Sequence, residues 1–493
     1  MGSGARVIRL EMPSVDGEQV VFRWTEPDRS PWQKATRFEL VYPGVPLGAF
    51  SMELLLEIFM SLQWRVFALN EGPVRVELPV TMPQASLAWW QGFHGAPHVE
   101  AAPVRDGRYS AWSGRPVVQD ERPVAAFFGA GKDSTLARSV LAEVYGDDAV
   151  LLLQMVHPFI RGADERNSLR ARQRGLMIDP VLRDTRLAAA MVETDYMANF
   201  LPAGRAGKPH TYLYTMCSLP ALLHRGVRMA SMSNERSAYW CGRGPSGEPE
   251  TIGYSKSRPE AYAALGAHLA AVSDIAIEYG NTHFSISEVL SYKVLLERYP
   301  QAFRRIVMCI LGDTEHRWCM GCKKCAQYVH FGLLFGRRHD DVDYDRFWQD
   351  SKYVQKLLAL ARRPGPRDPV SGNLPWSSDV SHSYHAPSFF HTMARLRGDE
   401  ARRLVPAASG AVLDELADAW GTRTYDQVEW VSSDAVDLVG SPMLRAVSAI
   451  YGQHAPVRSG PFRDQPYMNT TVDYDFSVET DGFGHLLKRT QTE

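Results

Sequence analysis

In the first part of the chain, apolar and polar residues alternate in short runs, "VIRLEM", "QVVFRW" and "RFELVY", with the period of two that half-buried strands require. One longer stretch, "SMELLLEIFMSLQWRVFAL", carries helical spacing and predicts an amphipathic helix. Residues 1–120 therefore read as an α+β N-terminal domain. "LAWWQGFHGAP" and "RYSAWSGRP" predict a loop-rich boundary whose aromatic residues pack an interface rather than a ligand. From 121 the pattern changes to apolar runs ("PVAAFF", "AVLLLQMV", "VRMASMS") separated by helical stretches ("STLARSVLAEVYG", "YTMCSLPALLHRG"). Continuous apolar strands between helices predict an α/β, doubly wound parallel sheet over 121–340, covered on both faces, with ligands at the carboxyl ends of its strands. Beyond 340, "RRPGPRDPVSGNLPWSSDVSHSYHAPS" predicts a polar, Pro-rich connection. Helices such as "ARRLVPAASGAVLDELADAW" and a mobile tail follow, so 341–493 read as a mostly helical C-terminal extension.

Composition narrows the function. With 493 residues, 45% of them hydrophobic, the chain can bury large cores in two or three domains. Its 54 Lys plus Arg against 56 Asp plus Glu leave a net charge of -2, with no field to draw nucleic acid or an anionic membrane, and neither is expected as a partner. No apolar run approaches the about 20 residues of a membrane-spanning helix. "MGSGARVIRLEMPS" lacks the apolar centre of a signal peptide, so a cytoplasmic location is expected. Of six cysteines, four lie between 309 and 325, consistent with a reducing compartment.

Two segments carry chemistry. In "AFFGAGKDSTLA" (126–137) an apolar strand breaks into glycines just before a helix. A Walker A loop is excluded, because Ala126 holds the first glycine position and Lys132 is followed by Asp133 rather than Ser or Thr. What remains is a strand, a glycine turn and a helix amino terminus, a geometry whose backbone N–H groups suit an anion. The simpler alternative is that Asp133 and Ser134 only cap the helix. The second segment, "MCILGDTEHRWCMGCKKCAQY", spaces Cys309, Cys319, Cys322 and Cys325 as C-x9-C-x2-C-x2-C. Four thiolates suit a closed tetrahedral Zn2+ site, which is structural because no position is left for water. An iron–sulfur cluster or unliganded thiols are the alternatives.

"GAGKDST" resembles the S-G-G-x-D-S signature of the PP-loop ATP pyrophosphatases, which split ATP into AMP and pyrophosphate. The resemblance implies a HUP-type, Rossmann-like domain in which Gly129, Ala130, Gly131, Asp133, Ser134 and Thr135 surround the pyrophosphate and Asp133 contacts Mg2+. Gly129 replaces the usual first Ser, which removes a hydroxyl donor, and Ala130 replaces a Gly, which adds a methyl to the backbone approach. The cysteine cluster is similar to the zinc element of the QueC-type 7-cyano-7-deazaguanine synthases.

Between the two segments, "VRMASMS" ends at Asn234, Glu235, Arg236 and Ser237, polar groups at a strand's carboxyl end or else a solvated turn. "SNERSA" resembles a segment of the MurL-type epimerases. The resemblance runs in order through the K-D-S loop, "GKPHTYLYT", "SNERSA", Ser255-Lys256-Ser257 and "WCMGCKKC", over roughly residues 85 to 335. It implies ATP-dependent conversion of the terminal L-Glu of UDP-N-acetylmuramoyl-L-alanyl-L-glutamate to D-Glu. This chain has "PETIGY" where that family carries a V-N-H-Q type stretch, which widens the expected substrate to related small-molecule or peptide-type carboxylates.

A free carboxylate leaves its α C–H barely acidic, whereas adenylation removes the charge and allows a base to exchange the proton. Lys132, Arg236 and Lys256 are the expected basic groups near phosphates or carboxylate. His210, Cys217, Tyr254, Lys256 and His283 are candidate bases; for Cys217, in an apolar helix, burial is the favoured explanation. Asn234 and Glu235 are expected at the nucleotide, Glu235 binding Mg2+ or ribose or pairing with Arg236. The competing expectations are a QueC-like amide- or nitrile-forming ligase and a nucleotide-binding scaffold without catalysis.

Overall fold

The computed structural model describes residues 5–27, 33–70, 72–156, 174–199, 211–234, 241–243, 249–251, 259–307, 318–362, 367, 374, 386–422 and 424–459. The strands are β1 (Arg6–Leu10), β2 (Ser14–Asp16), β3 (Gln19–Thr25), β4 (Arg37–Val41), β5 (Val74–Pro83), β6 (Val99–Arg105), β7 (Val124–Phe127), β8 (Val150–Val156), β9 (Ala188–Thr194) and β10 (Met229–Met232). A short hairpin of β11 (Cys241–Arg243) and β12 (Pro249–Thr251) precedes β13 (Glu278–Asn281). The strands outside the hairpin join one eleven-stranded sheet in the order β13-β10-β7-β8-β9-β4-β3-β1-β5-β6, with β2 on β3, except that β14 (Val431–Ser432) and β15 (Val457–Arg458) pair parallel with each other in a small sheet of their own.

From β13 to β9 every pairing is parallel. These five strands stand fifth, fourth, first, second and third in chain order, as in Rossmann-like doubly wound sheets, and the order reverses between β7 and β10. The apolar run of β8 is buried at all seven residues. Leu151, Leu153 and Met155 enter one core with helix α1 (Met52–Phe67), while Val150 and Leu152 enter another with Leu141 of helix α3 (Lys132–Tyr145). Alternate side chains thus serve opposite faces, as expected for a parallel strand covered on both sides.

The sheet continues across residue 120. β4 pairs antiparallel with β9, Leu40 opposite Thr194 and Val41 opposite Glu193. Phe22, Trp24, Phe38 and Phe59 interleave beside this junction, and Tyr196, just past β9, sets its ring against Phe38 and donates its hydroxyl to the Leu62 carbonyl at 2.7 Å. Helix α1 begins where Ser51 accepts the Leu54 amide, with Glu53 in its first turn and Arg65 in its last, each matched to the helix dipole.

The loop expected at "LAWWQGFHGAP" is instead helix α2 (Gln84–His94), which Gly95 ends in the left-handed conformation at φ 62°. Its glycines misdirected the expectation: Gly92 sits inside the helix with open space beside it, and Gly95 is the C-cap. The helix is held by a buried polar staple. Glu57 of α1, fully buried, accepts from Ser86 Oγ, from Trp90 Nε1 at 2.7 Å and from His268 Nε2 at 2.8 Å. Trp89 stacks on the His268 ring at 4.2 Å, so the tryptophan pair joins α2 to the helix Pro259–Val272.

The described part of the extension is mainly helical, including Lys352–Ala361, Ala386–Arg395, Gly410–Trp420 and Pro442–Tyr451. One apolar core runs from Phe284 to Tyr451 and takes in Leu136 and Val140 of α3. Most of the Pro-rich connection and the tail beyond residue 459 lie outside the described residues. No described helix is long and apolar enough to cross a membrane.

Glu57→Ala leaves three buried donors without their acceptor. It is expected to cost about 3 kcal/mol or more, since each such donor costs about 1–3 kcal/mol, and Glu57→Gln is expected to cost less. Chemical denaturation measures both; an unchanged midpoint in Glu57→Ala would show that the staple does not hold the helices.

Candidate functional site

β7 ends inside the sheet, and its continuation is pinned by the Phe128 amide on the Leu153 carbonyl at 2.8 Å. The chain then turns through Gly129, Ala130 and Gly131 into α3. Gly131 is the N-cap residue and supplies no side-chain cap. Ser134 closes the turn by accepting the Gly129 amide at 3.2 Å and donating to the Gly131 carbonyl at 3.3 Å. Neither Asp133 nor Ser134 occupies the N-cap position, so the amino terminus of α3 is left without a side-chain cap.

Ala130 has φ 55°, the left-handed region that disfavours side chains. Its methyl is buried in an apolar cluster with Phe128, Leu141 and Val307, and its carbonyl accepts the Val307 amide at 2.8 Å. The methyl expected to narrow the anion's approach is therefore turned into the core. A Cβ added at Gly129 or Gly131 would meet no atom within 4 Å, so the backbone of those two residues faces open space. Lys132 is buried, and its Nζ lies 2.5 Å from Oδ1 of Asp133, whose side chain is 27% exposed. Thr135 is buried too, its amide on the Gly131 carbonyl at 2.9 Å.

Across the switch point, the ends of β10 and β13 bring together polar side chains. Asn234 donates to the Tyr262 hydroxyl at 3.0 Å, and Asn281 donates to the Asn234 carbonyl at 2.7 Å. The Asn281 side chain accepts the His283 amide at 2.9 Å, and Thr282 Oγ1 lies 2.8 Å from His283 Nδ1. Asn281, Thr282 and His283 are all buried. Tyr451, from the last described helix, sets its ring 6.1 Å from that of His283. Burial first, then the Tyr299 hydroxyl and the Asp133 carboxylate, push the Tyr451 phenol well above its usual range. The extension thus reaches the flank of the glycine loop.

Of the residues singled out in the sequence, Gly129, Ala130, Gly131, Lys132, Asp133, Ser134 and Thr135 form this turn, with Asn234 and His283 at neighbouring strand ends. His210, Glu235, Arg236, Ser237, Tyr254, Lys256 and Cys309 lie outside the described residues. Cys217 is fully buried, and desolvation raises its thiol far above the usual range, which makes it a poor base or nucleophile. Asn281, Thr282 and Tyr451 were missed. "YGNTHFSIS" ends an apolar strand in polar residues just as "SMSNERS" does, a signal that could have found the first two.

The thiol cluster stands apart. The Sγ atoms of Cys319, Cys322 and Cys325 lie within 4.8 Å of one another, a group that can hold a metal ion. Met320, left-handed at φ 58°, turns the chain back so that Cys322 caps the helix Lys323–Leu334, its sulfur accepting the Cys325 amide at 3.5 Å. Three convergent soft donors with an N–H···S contact fit Zn2+. The element is tied to the extension by the Trp318 indole on Asp341 at 2.6 Å and the Tyr353 amide on the Gly321 carbonyl at 3.2 Å.

Comparison with protein-family models, with curated proteins and with solved structures finds no match to this chain.

Two outcomes follow from the geometry. Ala130→Val, a β-branched residue in the left-handed region, is expected to cost about 2 kcal/mol. Ala130→Gly should stay within about 1 kcal/mol of the parent, because relieved strain is offset by chain entropy and a lost buried methyl; equal midpoints for all three proteins would contradict the strain. Metal analysis of the purified protein should find zinc, lost in Cys322→Ser. Iron with acid-labile sulfide would identify a cluster instead, and zinc retained in full would remove these thiols from the ligand set.

Proposed function

We propose that this protein activates a carboxylate with ATP, forming an acyl adenylate and pyrophosphate, and uses the activation to invert the neighbouring carbon of a peptide-type substrate, as the MurL-type epimerases do. The observation that carries the reading is the glycine turn at the carboxyl end of β7: it lies beside the strand-order reversal and leaves backbone open over Gly129 and Gly131 at the amino terminus of a helix.

In this reading the first turn of α3 binds the phosphates, and Lys132, held beside Asp133, balances their charge. Asp133 is the residue that would hold Mg2+, which when bound neutralises charge between the phosphate groups. A carboxylate oxygen of the substrate attacks the α-phosphorus and the bond to pyrophosphate breaks. The activated carbonyl no longer bears a negative charge, so its α-proton becomes removable. A base, with His283 the described candidate, takes that proton; its return to the opposite face inverts the centre, and water then releases AMP. Cys319, Cys322 and Cys325 would hold Zn2+ as a structural element away from the reacting atoms.

The test is incubation with ATP, Mg2+ and UDP-N-acetylmuramoyl-L-alanyl-L-glutamate, or related peptide carboxylates, in heavy water. Deuterium at the α-carbon together with AMP and pyrophosphate is the expected result, and Asp133→Asn should lower the rate about 10²- to 10³-fold. An amide or nitrile product without exchange would replace this reading with a ligase. Absence of AMP formation with every carboxylate tried, while ATP still binds, would replace it with a binding scaffold.

A further inference from the structure

Arg138 lies in the middle of α3, and only 6% of it is exposed. Its Nε is buried without a hydrogen-bond partner, and the guanidinium makes no ion pair among the described residues. A guanidinium nitrogen taken out of water leaves a hydrogen bond unmade unless an acceptor meets it. Burial, followed by the positive charge of Arg305, lowers Arg138 to about 10, and Asp147 opposes that fall. The group therefore remains cationic at neutral pH. Arg305 itself donates to the Pro180 carbonyl at 3.1 Å and pairs with Asp184, so its own charge is partly balanced. Arg138 is left with the longer-range attraction of Asp147.

We infer that Arg138, with Arg305 beside it, forms a second anion site on the flank of α3, built for a compact oxyanion the size of inorganic phosphate. The guanidinium fork fits two oxygens of one phosphate or carboxylate at once, the geometry in which arginine binds most strongly. The site does not depend on what the glycine turn binds. It does touch that turn mechanically: Arg305 is two residues from Val307, whose amide holds the Ala130 carbonyl at 2.8 Å. An anion bridging α3 to Arg305 would fasten this segment against the helix and so steady the turn.

The experiment titrates the full chain with sodium phosphate and with sodium acetate at constant ionic strength, following the thermal midpoint and the heat of binding. Arg138→Met, Arg138→Lys and the turn variant Ala130→Val are run in parallel. The expected result is a midpoint that rises with the oxyanion in the parent and in Ala130→Val. Affinity should fall at least tenfold in Arg138→Met and by a smaller factor in Arg138→Lys, which keeps the charge but loses the fork. The anion giving the larger shift identifies phosphate or carboxylate as the source. Without added anion, Arg138→Met should be at least as stable as the parent, because it removes an unpaired buried charge. A response preserved in Arg138→Met but lost in Ala130→Val would assign the anion to the glycine turn and overturn the inference. No response to either anion in the parent would overturn it as well, and should Arg138→Met fail to fold, unchanged affinity in Arg138→Lys would overturn it in the same way.

Discussion

A strand whose seven residues are all buried can exist only if apolar layers press on both of its faces, and β8 sets that requirement for the whole molecule. One layer comes from α1 and the helix Pro259–Val272, brought in from distant parts of the chain; the other comes from α3 and the segment around Ile178 and Val181. The carboxyl end of β7 alongside is then left as a place where backbone can meet a ligand, since the strands and helices beneath it are already committed to packing. The position of the glycine turn is a consequence of that coverage.

Polar groups do the joining where apolar layers meet. Glu57 holds α1, α2 and the helix Pro259–Val272 through three hydrogen bonds, inside a core where it would otherwise be expensive to keep. Around β13, serines tie the extension to the parallel sheet: Ser285 meets Ser448 at 2.7 Å, and Ser441 donates to Glu278 at 3.0 Å. Each of these contacts satisfies a group that packing alone would strand, and each fixes a register between elements far apart in sequence. Arg138 is the contrasting case, a buried charge for which the described fold supplies no counter-charge within pairing distance.

The glycine turn shows how a residue that looks unfavourable in sequence can be accommodated. Ala130 carries a left-handed strain, yet its methyl points into the cluster of Phe128, Leu141 and Val307 and its carbonyl is held by Val307. The two glycines on either side keep the outer surface free of Cβ atoms. Packing on one side and open backbone on the other is how the same three residues meet the core without closing their outer surface.

Hydrophobic period was enough to read β3, α1, α3 and β8 and the parallel character of the second half, because which face of an element is buried is written in its own residues. The turn from Gly129 to Thr135 and the Cys319, Cys322, Cys325 spacing were legible for the same reason, being local in sequence. What periodicity could not reveal is which edge meets which. The pairing of β4 with β9, the helix built around Trp90 by a carboxylate more than thirty residues earlier, and the approach of Tyr451 to His283 and Asp133 all depend on partners distant in the chain. A strand's pattern records that a face is covered and leaves the covering element open, because any apolar surface of the right shape will do; the tertiary structure makes that choice, when packing and hydrogen bonding across the whole chain are satisfied together.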